Sequence, residues 1–219
     1  MFGLDIGRYY TSVVRSFPFH TPTEMVQATH RWCAERLARH PIQTLLLPAG
    51  NTPKALYAFW ETHHPTYLAG LRFAQVDELL DSGTPPLFQR FFRDELPTYA
   101  SRIRPPGQLV LNNSLAILGL GRNGHVAFHE PHLPADFSFG HVRLAPTTCE
   151  ALGVKPPARG RTYGLATLMK SKSVLLLVAG SGKEKAWQSF VANDDKCPAA
   201  HLRSHADLTV LYSANLDAP

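Results

Sequence analysis

Residues 114–131 read SLAILGLGRNGHVAFHEP, an apolar run followed at once by glycines and titratable side chains. The apolar part, Ser114 to Leu118, predicts a buried strand, so the glycines lie where that strand gives way to a loop. Three glycines between positions 119 and 124 allow a sharp bend and a close approach of the backbone to a ligand. An imidazole, His125, and a carboxylate, Glu130, follow. The combination indicates a site for a small anionic substrate and for proton transfer.

Short apolar strands alternate with helical patterns along the rest of the chain. Strands are predicted at Gln43–Leu47, Leu71–Val76, Ser114–Leu118, Ser173–Val178 and Leu208–Leu211, and helices at Thr21–Arg39, Pro53–Thr62, Leu87–Leu96 and Lys183–Val191. In the first helix the positions expected to face inward are Met25, Ala28, Trp32, Ala34 and Leu37. Strands that are apolar throughout and alternate with helices imply a mostly parallel sheet covered on both faces. The sequence therefore predicts an α/β, doubly wound, Rossmann-like fold with residues 1–219 as a single domain.

Polar or glycine-rich segments follow four of these strands. They are Gly50-Asn51-Thr52, Asp77-Glu78, the segment from Gly119 to Glu130, and Gly180-Ser181-Gly182-Lys183. Because open α/β sheets bind ligands at the carboxyl ends of their strands, we expect the four segments to surround one site.

Two of the four segments have the composition of anion-binding loops. Gly50, Asn51 and Thr52 precede a predicted helix, whose first amides and the Thr52 hydroxyl are suited to a phosphate. The alternative is a capped helix after a tight turn. Lys183 begins a later helix and either contacts a phosphate or sugar oxygen or is simply exposed. Its loop is not a Walker A motif, since Leu177 and Glu184 occupy positions that the motif reserves for Gly and Ser or Thr.

The other two segments carry acid–base groups. Asp77-Glu78 closes a buried strand, where a carboxylate is suited to act as a general base if burial raises its pKa; the alternative for this pair is a helix cap. His125 is the candidate acid–base imidazole. A metal site formed with His125, His129, Glu130 and His132 is disfavoured, because their spacing matches no zinc motif.

Composition, net charge and cysteine content limit the classes of protein to which this chain can belong. The chain has 219 residues, 44% hydrophobic and 18% charged, which fits a globular protein with a full core. The net charge of +5 favours an anionic partner, and the scattered Lys and Arg residues favour a phosphorylated metabolite over nucleic acid. No run is long enough to span a membrane, and Met1 to Arg8 shows no signal-peptide pattern. Three dispersed cysteines indicate a reducing, cytoplasmic location.

Taken together, these segments resemble the glucosamine-6-phosphate deaminase/isomerase family, which is related to the 6-phosphogluconolactonases. The matching segments are Leu47–Pro53, Val76–Glu78, Gly119–Pro131, Arg161–Leu168, Gly180–Lys183 and Pro198–His205. The resemblance is most specific at Phe128-His129-Glu130-Pro131, which is similar to the Phe-Asn-Glu-Pro of deaminases and lacks the Thr-Ala-Ser-Leu-Phe-Pro-like run of lactonases.

The resemblance implies conversion of glucosamine 6-phosphate, or a close hexosamine 6-phosphate, to fructose 6-phosphate and ammonia without a metal or organic cofactor. His125 would assist ring opening, and Asp77 would move a proton from C2 to C1 through an enolamine. Glu130 would belong to the relay that keeps His125 correctly charged and oriented, and Asn123 would help to orient the imidazole. The residues implied to bind the substrate or its phosphate are Gly50, Asn51, Thr52, Glu78, Gly121, Gly124 and Lys183. The protein is expected to act as a monomer or small homo-oligomer.

Two other functions remain open from the sequence. One is a lactone hydrolase of the same fold, which Glu130 disfavours. The other is a non-catalytic sugar-phosphate sensor, which Asn123 favours because many family members carry Asp there and an amide cannot stabilise an imidazolium as a carboxylate does.

Overall fold

The computed structural model describes residues 14–109, 111 and 113–216, so the prediction made for Met1 to Arg8 lies outside the described residues. The strands are β1 Arg15–Phe19, β2 Thr44–Leu47, β3 Arg72–Gln75, β4 Asp77–Leu79, β5 Ile103–Arg104, β6 Ser114–Gly119, β7 Phe139–Arg143, β8 Arg159–Tyr163, β9 Ser173–Val178 and β10 Leu208–Ser213. The α-helices are α1 Pro22–Arg39, α2 Lys54–His63, α3 Leu87–Glu95, α4 Pro97–Ala100, α5 Pro146–Leu152, α6 Leu165–Leu168 and α7 Glu184–Val191. Short 3₁₀ helices span Thr66–Leu68, Pro198–Ser204 and Ala214–Leu216.

Seven strands form one sheet in the order β1-β10-β9-β6-β2-β3-β5, and every neighbouring pair is parallel. From β2 the chain builds outward through β3 to β5, whereas from β6 it builds in the opposite direction through β9 to β10. The direction of winding therefore reverses between the adjacent strands β2 and β6. In open α/β sheets such a switch point opens a crevice at the carboxyl ends of the strands, where ligands bind.

Successive side chains of the central strands point to opposite faces of the sheet, and each face has its own core. Leu46, Leu118 and Leu176 belong to the core under α7 and the Pro198–Ser204 turn. Their neighbours Leu45, Ile117 and Leu177 pack in the core under α1, α2 and α3. The period of two in strand geometry explains this division, and burial on both faces explains why the strands are apolar throughout. The predicted doubly wound α/β fold is confirmed.

Helix α1 begins where the sequence predicts, but its buried stripe differs. The Thr21 hydroxyl caps the helix by accepting from the Glu24 amide, and a Glu24 carboxylate oxygen accepts from the amide of His20, the residue before the cap. The residues of α1 that are buried are Met25, Val26, Thr29, Trp32, Cys33 and Arg36, whereas Ala28, Ala34 and Leu37, predicted to face inward, are only half-buried. The stripe is shifted because Arg36 turns inward, lies over the Trp32 ring and donates to Asp207 (Nη2–Oδ1 3.1 Å).

Several parts of the architecture were not predicted, including the short strand β5 and the helices α4, α5 and α6. β1 pairs with β10 at the edge of the main sheet. A second, three-stranded sheet has the order β4-β8-β7 with antiparallel pairing, and its residue Leu79 packs in one core cluster with Phe88 of α3 and Phe128 of the loop after β6. The prediction that the third strand ends at Asp77-Glu78 was wrong, because β3 stops at Gln75 and Asp77 starts β4 of the second sheet. None of the helices in the described ranges has the length and apolar character needed to cross a membrane.

Candidate active site

A cavity of about 610 Å³ opens at the switch point between β2 and β6. Its walls come from the segments that follow four adjacent strands: Gly180–Lys183 after β9, Gly119–His125 after β6, Pro48–Pro53 after β2 and Val76-Asp77 after β3. Helix α5 closes one side with Thr147, Thr148 and Ala151. The sequence-predicted convergence of strand ends is therefore observed.

Asp77 supplies a carboxyl group to this cavity from the junction of the two sheets. The residue is 7% exposed and pairs with Thr162 of β8. Burial, with a smaller contribution from the neighbouring Glu78 charge, raises the pKa of Asp77 to about 8. A carboxyl group with a pKa this close to neutrality can both accept and return a proton under ordinary conditions.

Glu78, expected at the substrate, has a different role. Its side chain is buried and does not line the cavity. One carboxylate oxygen accepts from the amides of Leu79 and Phe88 (both 2.9 Å), and the other accepts from the amide of Gln89 (3.0 Å) and from Gln75 Nε2 (2.9 Å). Glu78 thus satisfies the free amides at the start of α3, as helix capping requires. The helix-cap alternative, raised for this pair of acidic residues, applies to Glu78 and not to Asp77.

His125 faces the cavity from the glycine-rich turn after β6. A Cβ atom at Gly121 would lie 2.3 Å from its Nε2 atom, so the imidazole occupies space that only a glycine leaves free. The turn is closed by two hydrogen bonds, from the Gly121 amide to the His125 carbonyl (2.8 Å) and from the Gly124 amide to the Gly121 carbonyl (3.1 Å). Gly121 therefore acts by making room for the imidazole.

Gly124, predicted to bind substrate, does not line the cavity. Its φ is +84°, and a Cβ atom there would lie 2.7 Å from Cys197 Sγ. Cys197 also points its thiol at the Gly124 carbonyl (3.8 Å), and the Ala199 amide donates to the same carbonyl (2.9 Å). Gly124 is required because the turn is left-handed there and packs tightly on the segment after α7, which excludes a side chain.

Asn123 and Glu130 hold His125 in one orientation. Asn123 Nδ2 donates to Glu130 Oε2 (2.8 Å), which directs Asn123 Oδ1 toward His125 Nδ1 (2.7 Å). An amide oxygen only accepts, so Nδ1 carries a proton and the neutral ring presents an unprotonated Nε2. Glu130 Oε2 is also 3.7 Å from His125 Nδ1, close enough to stabilise an imidazolium directly. Glu130, to which Asn123 donates, therefore supplies the carboxylate charge that Asn123 lacks.

Glu130 is fully buried and is held as an anion. Burial alone would raise its pKa, but hydrogen bonding and charge attraction from His125, with hydrogen bonds from Thr148 and Asn123, outweigh burial and lower the pKa to about 2. Its second oxygen accepts from the Ala145 amide (3.1 Å) just before α5. Glu130 does not line the cavity and acts through its neighbours.

Thr148, which sequence analysis missed, joins this network. It is 2% exposed, lines the cavity from α5 and places its hydroxyl 3.2 Å from His125 Nδ1. Nothing in the local sequence Ala145-Pro146-Thr147-Thr148 distinguishes it from an ordinary helix start, because its role depends on a contact between residues 23 positions apart.

The residues predicted to bind the phosphate lie together in another part of the cavity lining. Gly50, Asn51, Thr52 and Lys183 all line the cavity, and Lys183 Nζ donates to Thr52 Oγ1 (3.4 Å). Burial, with repulsion from Arg122, lowers the pKa of Lys183 to about 8. Helix α2 begins at Lys54 and α7 at Glu184, so both loops end at helix amino termini.

His129 belongs to the scaffold. It is buried, and its Nδ1 accepts from the Leu165 amide (3.1 Å) at the start of α6. Burial, followed by repulsion from His201 and His132, lowers its pKa to about 4, so the ring is neutral. Among residues 14–109, 111 and 113–216 no group of three or more His, Cys, Asp or Glu side chains is arranged to hold a metal ion.

The chain is similar in sequence to several known enzymes. Residues 89–211 match the family model described as glucosamine-6-phosphate isomerases/6-phosphogluconolactonase. Glucosamine-6-phosphate deaminase 1 of Giardia intestinalis is 30% identical over 217 residues, covering 82% of this chain and 80% of that protein. A glucosamine-6-phosphate deaminase of Bacillus thuringiensis is 28% identical over 218 residues, covering 87% of this chain and 83% of that protein.

Solved structures share the fold. A monomeric glucosamine-6-phosphate deaminase superposes with a TM-score of 0.78 at 24% identity, covering 93% of this chain and 98% of that one. The 6-phosphogluconolactonase of Trypanosoma brucei gives a TM-score of 0.74 at 20% identity, covering 93% and 97%. With the family model matching more than half of its length, this chain belongs to the glucosamine-6-phosphate isomerase/6-phosphogluconolactonase family.

Proposed function

We propose that the protein is a hexosamine-6-phosphate deaminase that converts glucosamine 6-phosphate and water to fructose 6-phosphate and ammonia. The observation that carries the proposal is that Asp77, with its raised pKa, and His125, in a fixed tautomer, face one cavity beside the Thr52–Lys183 pair. The deaminases named above, which the chain matches over more than 80% of its length, support the same activity.

The proposed reaction uses the two groups in succession. His125 Nε2 takes the proton of the sugar O1 hydroxyl and returns one to the ring oxygen as the C1–O5 bond breaks, leaving the open-chain aldehyde. The imidazolium formed in between is stabilised by Glu130 at 3.7 Å. The Asp77 carboxylate then removes the C2 proton while the substrate ammonium gives a proton to the aldehyde O1, which forms an enolamine, and Asp77 returns its proton to C1. Water adds to the resulting C2 iminium, ammonia leaves and the C2 ketone remains.

The residues that bind the substrate are also part of the proposal. Thr52 and Lys183 hold the phosphate, with Gly50 and Asn51 providing backbone and side-chain polar groups at the same wall. Thr148 and Asn123 position His125. We also infer a cytoplasmic enzyme, supported by Cys33, Cys149 and Cys197, which are all free and buried.

Lactone hydrolysis is the second candidate, because the family model covers both activities and His125 is equally suited to activate a water molecule. The two functions separate in one experiment. Purified protein is given glucosamine 6-phosphate, galactosamine 6-phosphate or 6-phosphogluconolactone, and ammonium, fructose 6-phosphate and acid release are measured. Ammonium and fructose 6-phosphate in equal amounts support the deaminase. Acid release from the lactone alone identifies a hydrolase. Binding of fructose 6-phosphate without any turnover identifies a sensor.

A further inference from the structure

Three cations line the cavity, and they differ in what they contact. Lys54 Nζ pairs with Glu95 (2.6 Å) and lies over the Phe91 ring (5.6 Å), so its charge is already compensated. Within the described ranges, neither Arg122 nor Lys183 pairs with a carboxylate, and the Arg122 guanidinium donates no hydrogen bond. Two uncompensated cations therefore remain at one wall.

Arg122 lies against the loop that carries Lys183. A Cβ atom at Gly182 would lie 3.3 Å from Arg122 Nε and 3.7 Å from Cδ, so the arginine side chain packs over Gly182. Burial is the larger cause of the lowered pKa of Lys183, and repulsion from Arg122 is the smaller one. The carboxylate next to them, Glu184, accepts from the Gly182 amide (3.4 Å) and does not line the cavity. Arg122 is exposed, so water screens part of this repulsion, and an anion bound between the two charges would relieve the remainder.

The backbone beside these cations leaves room for a ligand. Gly50 and Gly180 have φ values of +102° and +95°, and a Cβ atom at either position would meet no atom within 4 Å. Asp77 is the acidic residue among those that line the cavity, and its raised pKa keeps it largely uncharged below pH 8. This wall of the cavity is therefore open, positive and not neutralised from within.

We propose that Arg122 and Lys183 together form a two-cation subsite that binds the phosphate monoester of the substrate. The assignment rests on the proposed function and adds to it a residue that decides phosphate affinity. A guanidinium can bind two phosphate oxygens at once, whereas an ammonium acts as a point charge. Arg122 thus selects for a dianionic, tetrahedral group, and Lys183 holds that group next to Thr52.

The test measures binding separately from turnover. Wild type, Arg122→Ala, Arg122→Lys and Lys185→Ala are titrated with fructose 6-phosphate, inorganic phosphate and fructose by isothermal calorimetry. Lys185 is the matched control because it is an exposed cation two residues from Lys183 that does not line the cavity. Thermal melting of each variant establishes that it is folded.

We expect Arg122→Ala to weaken fructose 6-phosphate and inorganic phosphate binding about 10- to 100-fold, the range of one hydrogen-bonded charge contact. Arg122→Lys restores part of the lost phosphate affinity, and the affinity for fructose is the same in all variants. The phosphate affinity of Lys185→Ala stays within about twofold of the wild-type value. In steady-state assays Arg122→Ala raises KM while kcat changes little.

Three results would overturn the assignment: unchanged phosphate affinity in Arg122→Ala, an equal loss for fructose, or an equal loss in Lys185→Ala. The last would mean that only the general positive field matters. Arg122-dependent binding without ammonia release would remove the proposed function and leave the subsite. Ammonia release by the wild type, with unchanged phosphate binding in Arg122→Ala, would support the proposed function and reject the subsite. A wild type that binds no phosphorylated ligand would reject both the function and the subsite.

Discussion

Replacing Asp77 with asparagine is expected to abolish turnover and to stabilise the protein at alkaline pH. The carboxyl group is buried beside Glu78, and these two causes raise its pKa from 3.8 to about 8. In the unfolded chain the group has its ordinary pKa, so between about pH 4 and pH 8 the folded state binds the proton more strongly. The free energy of unfolding of the wild type therefore falls as pH rises through this window.

The size of the effect follows from the shift. Each unit of pKa difference corresponds to about 1.4 kcal/mol, so four units set an upper bound of about 6 kcal/mol at pH 8 and above. Relaxation and water entry reduce this bound, and we expect a gain of at least about 2 kcal/mol in Asp77→Asn at pH 8.5. For a protein of this size that gain is a rise in Tm of about 4–8 °C. Below about pH 4 the difference disappears, because Asp77 is then protonated in both states.

The assay is thermal melting of wild type and Asp77→Asn at pH 4, 6 and 8.5, with ammonium release measured on the same samples. Asp94→Asn, which changes an exposed carboxylate of α3, is the matched control and should leave Tm within about 1 °C at every pH. If Asp77→Asn melts at or below the wild-type temperature at pH 8.5, then Asp77 is not held against ionisation. A variant that still releases ammonia would exclude Asp77 as the base.

Four further predictions follow from the same geometry. The kcat/KM of the wild type should rise as Asp77 ionises toward pH 8 and fall above pH 8 as Lys183 loses its proton, which a pH–rate profile measures. Glu130→Gln should lower kcat about 100-fold and the free energy of unfolding at pH 7 by about 3 kcal/mol, since the two ends of an amide cannot accept from both Asn123 Nδ2 and the Ala145 amide. The stability difference should shrink as pH falls from 4.5 toward 2, and equal urea midpoints of wild type and variant at pH 7 would contradict the prediction. Gly121→Ala should lower kcat at least about 100-fold with little change in Tm, because its Cβ atom would displace the His125 ring, and unimpaired turnover would show that the ring need not sit there. Thr148→Val should lower kcat about 10-fold and shift the pH profile, since it removes a hydroxyl beside His125 Nδ1, whereas Thr148→Ser should restore both.

The sequence predicted five of the seven strands of the main sheet, because these strands are apolar runs, a pattern that needs no knowledge of distant contacts. It did not predict β7 and β8, whose residues, such as Gly140, His141, Arg159 and Arg161, are polar or small. These strands form because they pair with each other and with β4, and pairing between distant segments leaves little local signal. The same limit applies to β1, which depends on β10.

Within the site, the residues on strand ends were predictable and the residues that depend on partners were not. Asp77, His125, Thr52 and Lys183 follow predicted strands, so the topology alone brings them together. Glu78 occupies the same kind of position, yet it faces away from the cavity because successive residues of a strand point to opposite sides. Thr148 enters the site through a contact that only the folded chain makes, whereas Arg122 lies in a predicted strand-end segment and only its packing over Gly182 depends on the fold.

The acid–base assignment depends most on two buried carboxyl groups with opposite pKa shifts. Among the described residues Asp77 forms no ion pair with a cation and feels the charge of Glu78, so burial keeps it protonated up to about pH 8. Glu130 is buried as deeply but accepts from Asn123 and the Ala145 amide and lies 3.7 Å from His125, so it stays ionised. Groups whose surroundings separate their pKa values in this way are suited to different roles. A fixed anion behind His125 stabilises charge, whereas a carboxyl group that titrates near neutrality moves protons. The two residues cannot exchange these roles, because each role follows from which donors surround the carboxyl group.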